Sequence, residues 1–402
     1  MKKILILLIA VYTICFAFSC RKKNKDECPV CPKVDELFPN TGKKGDTISI
    51  RGKNFSSTLT DNIVTFNGTA VAPSSMLSGS TTELRVLVPG KCGTGPVEVK
   101  LDDELYSENG PTFTYDAQTQ VTTVAGVSFQ SGTTINGTTF AATRFKSPSQ
   151  LAIDPSGNVY VLDSTTLQVS KLTMATSSTT VLTDTNTQAN NPTAIAVDQN
   201  SILYISNFTP GNSGKTIMLK LTPGATVPSL YNYDFDANKK HVCVVVDKMG
   251  EFYIGRQTTN LSTNFYDINH YTPAKGHQGF VNDAGTVISL KNGYIYAIRA
   301  INAHGLYETE FYKYSLTDTV KQIVLDKNAG LNFCMGLVID DAGNSFIADT
   351  ENNRVIKCSP ARVITTLVST GLKRPKGMVM DKAGNIYVAD CGNHCIKKIT
   401  FD

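Results

Sequence analysis

The 402-residue sequence contains no tryptophan and only five histidines, and its charge is nearly balanced. Each of these features narrows the range of possible functions. Tryptophan is common in sugar-binding platforms, so only tyrosine and phenylalanine remain to stack on a ligand. The 38 basic and 34 acidic residues give a net charge of +4, and removal of a leader that carries Lys2 and Lys3 would lower it to +2. This balance excludes binding to nucleic acid mainly through charge.

What the sequence does contain is a repeated pattern of an apolar run, an aspartate, a Gly-Asn turn and a second apolar run. It occupies residues 150–172, 336–358 and 377–399. The alternating apolar residues predict half-buried strands, and Gly-Asn supplies the positive φ angles of a tight hairpin. Because one small sheet cannot bury both of its faces, the repeat predicts the neighbouring blades of a β-propeller.

The aspartate that ends the first strand of each unit sets the number of blades. It recurs at intervals of 44, 49, 93 and 41 residues, at Asp154, Asp198, Asp247, Asp340 and Asp381. The interval of 93 contains a sixth unit, residues 287–314, in which Lys291-Asn292-Gly293 replaces the aspartate turn. The last unit lacks an outer strand, so we predict that residues 121–125 complete it and close a six-bladed ring without exposed edges.

These units resemble NHL repeats, and residues 121–148 resemble the lead-in of bacterial NHL propellers. The resemblance covers residues 120–402 and implies a six-bladed NHL-type propeller. Proteins with this fold bind proteins, RNA or small ligands, and a few are enzymes. The fold alone therefore does not indicate one function.

A second predicted module precedes the propeller. Short alternating strands and frequent turn signals over residues 34–116 predict a small β-sandwich. Its landmarks resemble an IPT/TIG domain, which has an immunoglobulin-like fold, at 39–42, 52–55, Val88-Pro89 and 113–115. The resemblance implies a spacer or a binding module, and the predicted fold class is all-β.

Residues 1–19 predict a lipoprotein signal peptide. Two lysines precede the apolar run 4–18, and Ala17-Phe18-Ser19 ahead of Cys20 resembles a bacterial lipobox. The run is shorter than the roughly 20 residues that span a membrane, so we expect lipidation of Cys20. The alternatives are a plain signal peptide or a short membrane anchor.

Residues 20–33 predict a charged tether between the lipid and the sandwich. They resemble the surface-export signal of Bacteroidetes lipoproteins, which favours outward display on the outer membrane over a periplasm-facing anchor. Cys28 and Cys31 have redox or metal spacing, but they stand alone in the tether, and we predict no metal there. Cys391 and Cys395 form either a disulfide or two reduced thiols.

Related propeller enzymes hold a metal with His, Glu, Asn or Asp from the inner strands. Four residues before the aligned aspartate, this chain has Gln150, Ala194, Cys243, Gly336 and Gly377. Such a ring cannot bind a divalent ion, and His241 beside it is predicted to be a hydrogen-bonded structural residue. We expect no metal, no cofactor and no catalysis, and the weaker alternative is a propeller lyase or hydrolase with an unfamiliar site.

The predicted ligand site lies where blades two to four depart from the repeat. Blades one, five and six end strand two with an aspartate that we expect to bond the following loop: Asp163, Asp349 and Asp390. Blades two to four have other residues there and longer loops after them, 208–216, 257–267 and 300–310. Consecutive blades are neighbours, so these loops should cluster on one face.

The residues of the predicted cluster combine guanidinium groups, aromatic rings and an amide: Asn207, Arg256, Phe265, Tyr266, Arg299, His304 and Tyr307. This chemistry suits a carboxylated or sulfated sugar, or an acidic peptide. The alternative is that the arginines pair with neighbouring acids and that the loops diverged without a function.

Two classes of function follow. The first is a cell-surface lipoprotein that binds a glycan or a related nutrient for uptake, with an outer-membrane transporter as its partner. The second is an envelope scaffold that docks other proteins through its propeller and its IPT/TIG domain. Neither class has a nucleic-acid partner.

Overall fold

The computed structural model describes residues 30–101, 110–116, 118–183, 189–209, 215–235, 239–258, 266–272, 276–281, 285–303 and 306–401. The chain divides between Gln118 and Thr119 into two compact units. The predicted signal peptide, Cys20 and the tether as far as residue 29 lie outside the described residues. Among the residues that the structure describes, no helix is long and apolar enough to cross a membrane.

The N-terminal unit is a β-sandwich of two sheets. The first sheet contains, in spatial order, Lys33–Phe38, Thr47–Lys53, Glu83–Leu87 and Met76–Gly79. The second contains Thr41–Gly42, Thr112–Tyr115, Gly95–Lys100, Ile63–Phe66 and Thr69–Ala70. Alternate residues point inward, and Phe66 packs edge-on against Phe113 with 5.1 Å between ring centroids. This is the predicted immunoglobulin-like sandwich.

The second unit consists of six antiparallel sheets, in each of which the three innermost strands follow chain order from the inside outward. Blade one contains Pro148–Ile153, Val159–Asp163, Gln168–Thr173 and Ser178–Thr183. Blade two contains Pro192–Val197, Leu203–Thr209, Lys215–Leu221 and Ser229–Phe235. Blade three contains Lys239–Val246, Phe252–Thr258, Tyr266–Thr272 and Gly276–Val281. Blade four contains Val287–Lys291, Tyr294–Ala303, Leu306–Ser315 and Lys321–Leu325. Blade five contains Gly336–Ile339, Ser345–Asp349, Arg354–Cys358 and Ile364–Val368. Blade six contains Pro375–Met380, Ile386–Asp390 and Cys395–Phe401. Thr138–Thr139 adds a short edge strand to blade one.

The six blades form a closed ring. The first strands of consecutive blades are neighbours, and the first strand of blade six is also a neighbour of the first strand of blade one. Thr119–Gly126 supplies the outermost strand of blade six, paired from Thr119↔Phe401 to Gly126↔Cys395 with one register shift between Thr123 and Ala125. The predicted six-bladed propeller, closed by an N-terminal outer strand, is confirmed.

The aspartate turns are built by side-chain hydrogen bonds to the backbone. Asp381 Oδ1 accepts bonds from the backbone N–H groups of Ala383 and Asn385, each at 2.9 Å, and its Oδ2 accepts one from Asn385 Nδ2 at 2.8 Å. Blade four instead has a two-residue turn, in which Asn292 and Gly293 have φ angles of 51° and 77°. Positive φ at both central residues is the geometry of a tight hairpin, so this turn replaces the aspartate without shifting the strands.

Candidate functional site

The two ends of each blade lie on opposite sides of the propeller. Strands one and two are joined on one side, which we call the aspartate face, and strands two and three are joined on the other, the hairpin face. In blade five the ladder of strands two and three ends at Asp349↔Arg354. In blade four it continues past the equivalent pair by four more pairs, to Ala303↔Leu306. At about 3.4 Å per residue, this lengthens the hairpin by roughly 14 Å.

The described ladders of blades two and three are lengthened by two pairs and one pair, to Thr209↔Lys215 and Gln257↔Tyr266. The prediction of long loops is therefore wrong for the described parts of 208–216, 257–267 and 300–310. Those parts are strand continuations, because pairing across the hairpin satisfies the backbone donors and acceptors that a loop would leave open. We call these three extensions the hairpin ridge, comprising the described residues within 207–217, 256–267 and 299–310.

An ion pair at the base of the ridge has its charges exchanged between the two strands. In blade five, Asp349 on strand two accepts a 2.7 Å bond from Arg354 on strand three. In blade three the arginine is on strand two and the acid on strand three, as Arg256 and Asp267, which are cross-strand partners. Blade four repeats the exchange with Arg299 and Glu310. Both acids follow their arginines by 11 residues, a sequence signal that points to this pairing.

Arg256 is a buried member of this arrangement, with 6 % of its surface exposed. Its Nε and Nη2 donate to the two carboxylate oxygens of Asp267 at 2.7 and 3.1 Å, and Lys239 Nζ lies 2.6 Å from the same carboxylate. A bidentate pair of this kind holds the arginine in a fixed geometry, and removal of either buried partner is costly. The burial of Arg256 disagrees with the prediction that it contacts a ligand, and the geometry matches the alternative of pairing with a neighbouring acid.

Asn207 also has a structural role. It is buried, and its Oδ1 accepts a 2.7 Å bond from the backbone N–H of Asn191, just before strand one of the same blade. Asp390 accepts the equivalent bond from the backbone N–H of Lys373 at 2.7 Å. Asn207 therefore replaces the aspartate without loss of the bond, which disagrees with its predicted contact to a ligand. Asp163 accepts backbone bonds from Thr165 and Thr166 in its following loop, in the predicted manner. The described residues of the loops after Asp349 and Asp390 instead donate from the side chains of Asn352 and Asn393.

The other predicted site residues differ in what the structure shows of them. Tyr266 is half-buried at the start of strand three in blade three, and burial raises its pKa. The Arg299 side chain is 29 % exposed, and its Nε lies 3.9 Å from Glu310 Oε2. Tyr307 pairs through its backbone with Asn302 in the ridge. Phe265 and His304 lie outside the described residues.

The first strands of all six blades surround a central cavity of about 600 Å³. The Gln150 side chain reaches across this cavity. Its Nε2 donates to the carbonyls of Thr193 and Val242 at 2.9 and 2.7 Å. Its Oε1 accepts a bond from the Ile195 N–H at 3.3 Å. These backbone groups belong to the unpaired inner edges of blades two and three. Gln150 thus satisfies edge groups of two other blades and links three blades, a role that its sequence position did not indicate.

Gly377 stands beside Gln150 because the inner strands converge there. A Cβ atom at Gly377 would lie 2.7 Å from the Ser149 carbonyl oxygen, which real side chains do not tolerate. Among the described residues that line the cavity, the only charged side chains are lysines: Lys240, Lys291 and Lys376. No group of three or more metal-ligating side chains occurs in the described part of the chain.

The nucleophilic and basic side chains near the cavity are held in structural positions. His241 is fully buried, and its Nδ1 lies 2.9 Å from Ser206 Oγ. Burial raises the pKa of the Cys243 thiol to about 12, so the nucleophilic thiolate is scarce at neutral pH. Cys391 and Cys395 are free thiols, in agreement with the second alternative for that pair, and Cys31 is disulfide-bonded.

Two family matches agree with this architecture. Residues 32–115 match the IPT/TIG domain, and residues 372–399, which make up most of blade six, match the NHL repeat. The chain therefore combines an IPT/TIG domain with an NHL-type propeller. No curated protein matches the sequence.

Solved structures with the same fold differ widely in activity. Auxiliary nutrient-binding proteins from Bacteroides thetaiotaomicron and Bacteroides ovatus are each 17 % identical, with a TM-score of 0.56, over 92 % of this chain and 98 % of theirs. A gluconolactonase from Xanthomonas campestris is 11 % identical, with a TM-score of 0.53, over 71 % of this chain and 90 % of its own. At these identities the likeness concerns the fold alone.

Proposed function

We propose that this protein binds a nutrient, with a glycan as the leading class, on the hairpin face of its propeller and does not transform it. The hairpin ridge is the observation that carries this proposal. Three consecutive blades lengthen the same hairpin, while the described part of blade five keeps the short form. Such a ridge provides a surface for a ligand on one side of a rigid ring.

The chemistry of the ridge supports an acidic or hydroxyl-rich ligand. The 3.9 Å pair of Arg299 and Glu310 is partly solvated, and such pairs contribute little to stability. Arg299 can therefore exchange Glu310 for a ligand carboxylate at low cost. Tyr266, on the adjoining blade, offers an aromatic ring that is half-buried and so loses little freedom on binding.

Three further observations support this function. The likeness to the two Bacteroides nutrient-binding proteins extends over nearly the whole of both chains. The described residues around the central cavity include no carboxylate or imidazole side chain for acid–base or metal chemistry. The thiol nearest the cavity, Cys243, is protonated at neutral pH because its pKa is raised to about 12.

For its place in the cell, we propose an outer-membrane lipoprotein anchored through Cys20 and displayed outward, with a nutrient transporter as its partner. The leader-like residues 1–19 and the charged tether support this location. Acyl labelling of the expressed protein tests the anchor, and protease accessibility on intact cells tests the outward orientation. Loss of acylation in a Cys20→Ala variant is the expected result, whereas labelling that persists would contradict the anchor.

Calorimetric titration of a soluble chain that starts after Cys20, against a panel of neutral and acidic glycans, tests the binding function. We expect binding to at least one glycan, weakened about tenfold by Arg299→Ala or Tyr266→Ala, which corresponds to about 1.4 kcal/mol. Arg362→Ala and Tyr294→Ala change the same residue types at the aspartate-face end of their blades and are the matched controls.

Three results would contradict the proposal. Binding of no glycan, together with retention of other envelope proteins, would favour the scaffold. Breakdown of a glycan or lactone in the titrated sample would indicate an enzyme. Equal losses in the ridge variants and their controls would place the ligand away from the ridge.

A further inference from the structure

A second part of the hairpin face, away from the ridge, has the features of a ligand site. A groove of about 420 Å³ lies where blades five and six meet the segment that follows the outermost strand of blade six. Its wall includes Phe129, Asn353, Lys373, Asn393 and Lys397.

Phe129 is the most unusual residue of this groove. Phe129 is 76 % exposed, although burial of a phenylalanine side chain ordinarily stabilises a protein. Its φ angle is 66°, a left-handed conformation that bulky residues rarely adopt. The backbone N–H of Phe129 donates to the Asn393 carbonyl at 3.1 Å, which holds the segment against blade six. An exposed aromatic residue held in a disfavoured backbone conformation is the kind of outlier that points to a function.

The groove is also polarised. Lys373 and Lys397 line it, and the Lys397 ammonium favours the charged form of the neighbouring Asp390 carboxyl. The described residues that line it include no aspartate or glutamate. Asn393 is only 4 % exposed, and its Nδ2 donates to Asp390 Oδ2 at 2.8 Å. Its Oδ1 has no hydrogen-bond partner among the described residues, although buried acceptors are nearly always paired.

We propose that this groove is a second carbohydrate subsite, specific for an acidic sugar. The sugar ring stacks on Phe129, as sugars do on exposed aromatic rings. Its carboxylate lies between Lys373 and Lys397 and pairs with both ammonium groups. The inference rests on the proposed glycan-binding function and adds the class of sugar and the place where its charge is bound.

The test is a calorimetric titration with a galacturonic acid trimer and with the neutral galactose trimer. Phe129→Ala and Lys373→Ala are compared with Met249→Ala and Lys382→Ala, which alter exposed residues on the aspartate face. The Phe129 ring is exposed and the Lys373 bond to Asp390 comes from the backbone, so both variants should unfold at the temperature of the unaltered protein.

We expect each groove variant to bind the acidic trimer about tenfold more weakly, and each control to bind it unchanged. Raising the salt concentration from about 50 to 500 mM should weaken binding by the unaltered protein more than by Lys373→Ala, because salt screens the lysine contact. The neutral trimer should respond to Phe129→Ala and not to Lys373→Ala.

The possible failures are distinguishable. Binding of glycans that the groove variants leave unchanged, while Arg299→Ala weakens it, would overturn the inference and leave the proposed function intact. Preference for the neutral trimer would overturn the assignment to acidic sugars. Failure of the unaltered protein to bind any glycan would overturn the proposed function and this inference with it.

Discussion

Replacement of Arg256 tests whether this arginine has a structural role or binds a ligand. Arg256→Ala removes both short bonds to Asp267 and leaves a carboxylate that is 5 % exposed and still pairs with Lys239. Removal of one partner from a buried ion pair costs about 3–5 kcal/mol. Because Lys239 remains 2.6 Å from the carboxylate, we expect the lower end of that range, about 3 kcal/mol.

The assay is thermal unfolding of the propeller unit, Thr119–Phe401. At about 2.1 cal/mol/K per residue, its unfolding entropy is roughly 0.6 kcal/mol per kelvin, so the loss corresponds to about 5 °C in Tm. Arg299→Ala is the control, because its pair with Glu310 is longer and more exposed. It should lower Tm by less than about 2 °C, since such pairs contribute at most about 1 kcal/mol.

A charge exchange completes the test. Arg256→Asp places two acids together and should destabilise the protein more than Arg256→Ala. The double variant Arg256→Asp/Asp267→Arg puts the acid on strand two and the arginine on strand three, as in blade five, and should recover part of the loss. If Arg256→Ala left Tm unchanged but abolished glycan binding, the structural role of Arg256 would be refuted, and the arginine would belong to the ligand site.

Three further predictions concern residues within single blades or between them. Gln150→Ala loses three hydrogen bonds between blades and should lower the unfolding free energy by about 2 kcal/mol; denaturant unfolding with an unchanged midpoint would contradict this. Asn207→Asp should leave Tm nearly unchanged. Asn207→Leu leaves the Asn191 N–H without its acceptor and should lower the unfolding free energy by about 1–3 kcal/mol. Burial raises the pKa of Asp390 above its ordinary value of 3.8. Its charge therefore destabilises the fold above the raised pKa, and the penalty fades as the pH falls towards the ordinary value. Asp390→Asn should therefore raise Tm more at pH 7 than at pH 4, and an equal effect at both would refute this.

The blade architecture can be predicted from the sequence because its determinants are local. Each aspartate turn is complete within five residues, as between Asp381 and Asn385. The alternation of apolar residues then sets which face of each strand is buried. Even the altered turn of blade four, Asn292-Gly293, is a recognised hairpin sequence. These signals repeat, so an error in one blade is corrected by the others.

The candidate site is harder to predict because its partners lie on different strands. Arg256 stands where other blades have an aspartate, and strand two alone does not reveal that the acid has moved to Asp267. The length of 257–267 resembles a loop unless the cross-strand register is known. Gln150 bonds to residues 43 and 92 positions away, and no local pattern predicts bonds of that separation. Phe129 lies in the lead-in segment, outside the repeat that drew attention to blades two to four.

The most direct test of glycan capture on the hairpin face is hydrogen exchange of the soluble chain with and without a bound acidic oligosaccharide. We predict slower exchange at the hairpin ridge and around Phe129 and Lys373, unchanged exchange at the aspartate turns, and recovery of the oligosaccharide intact. Protection confined to the aspartate face, or recovery of a cleaved oligosaccharide, would contradict the account.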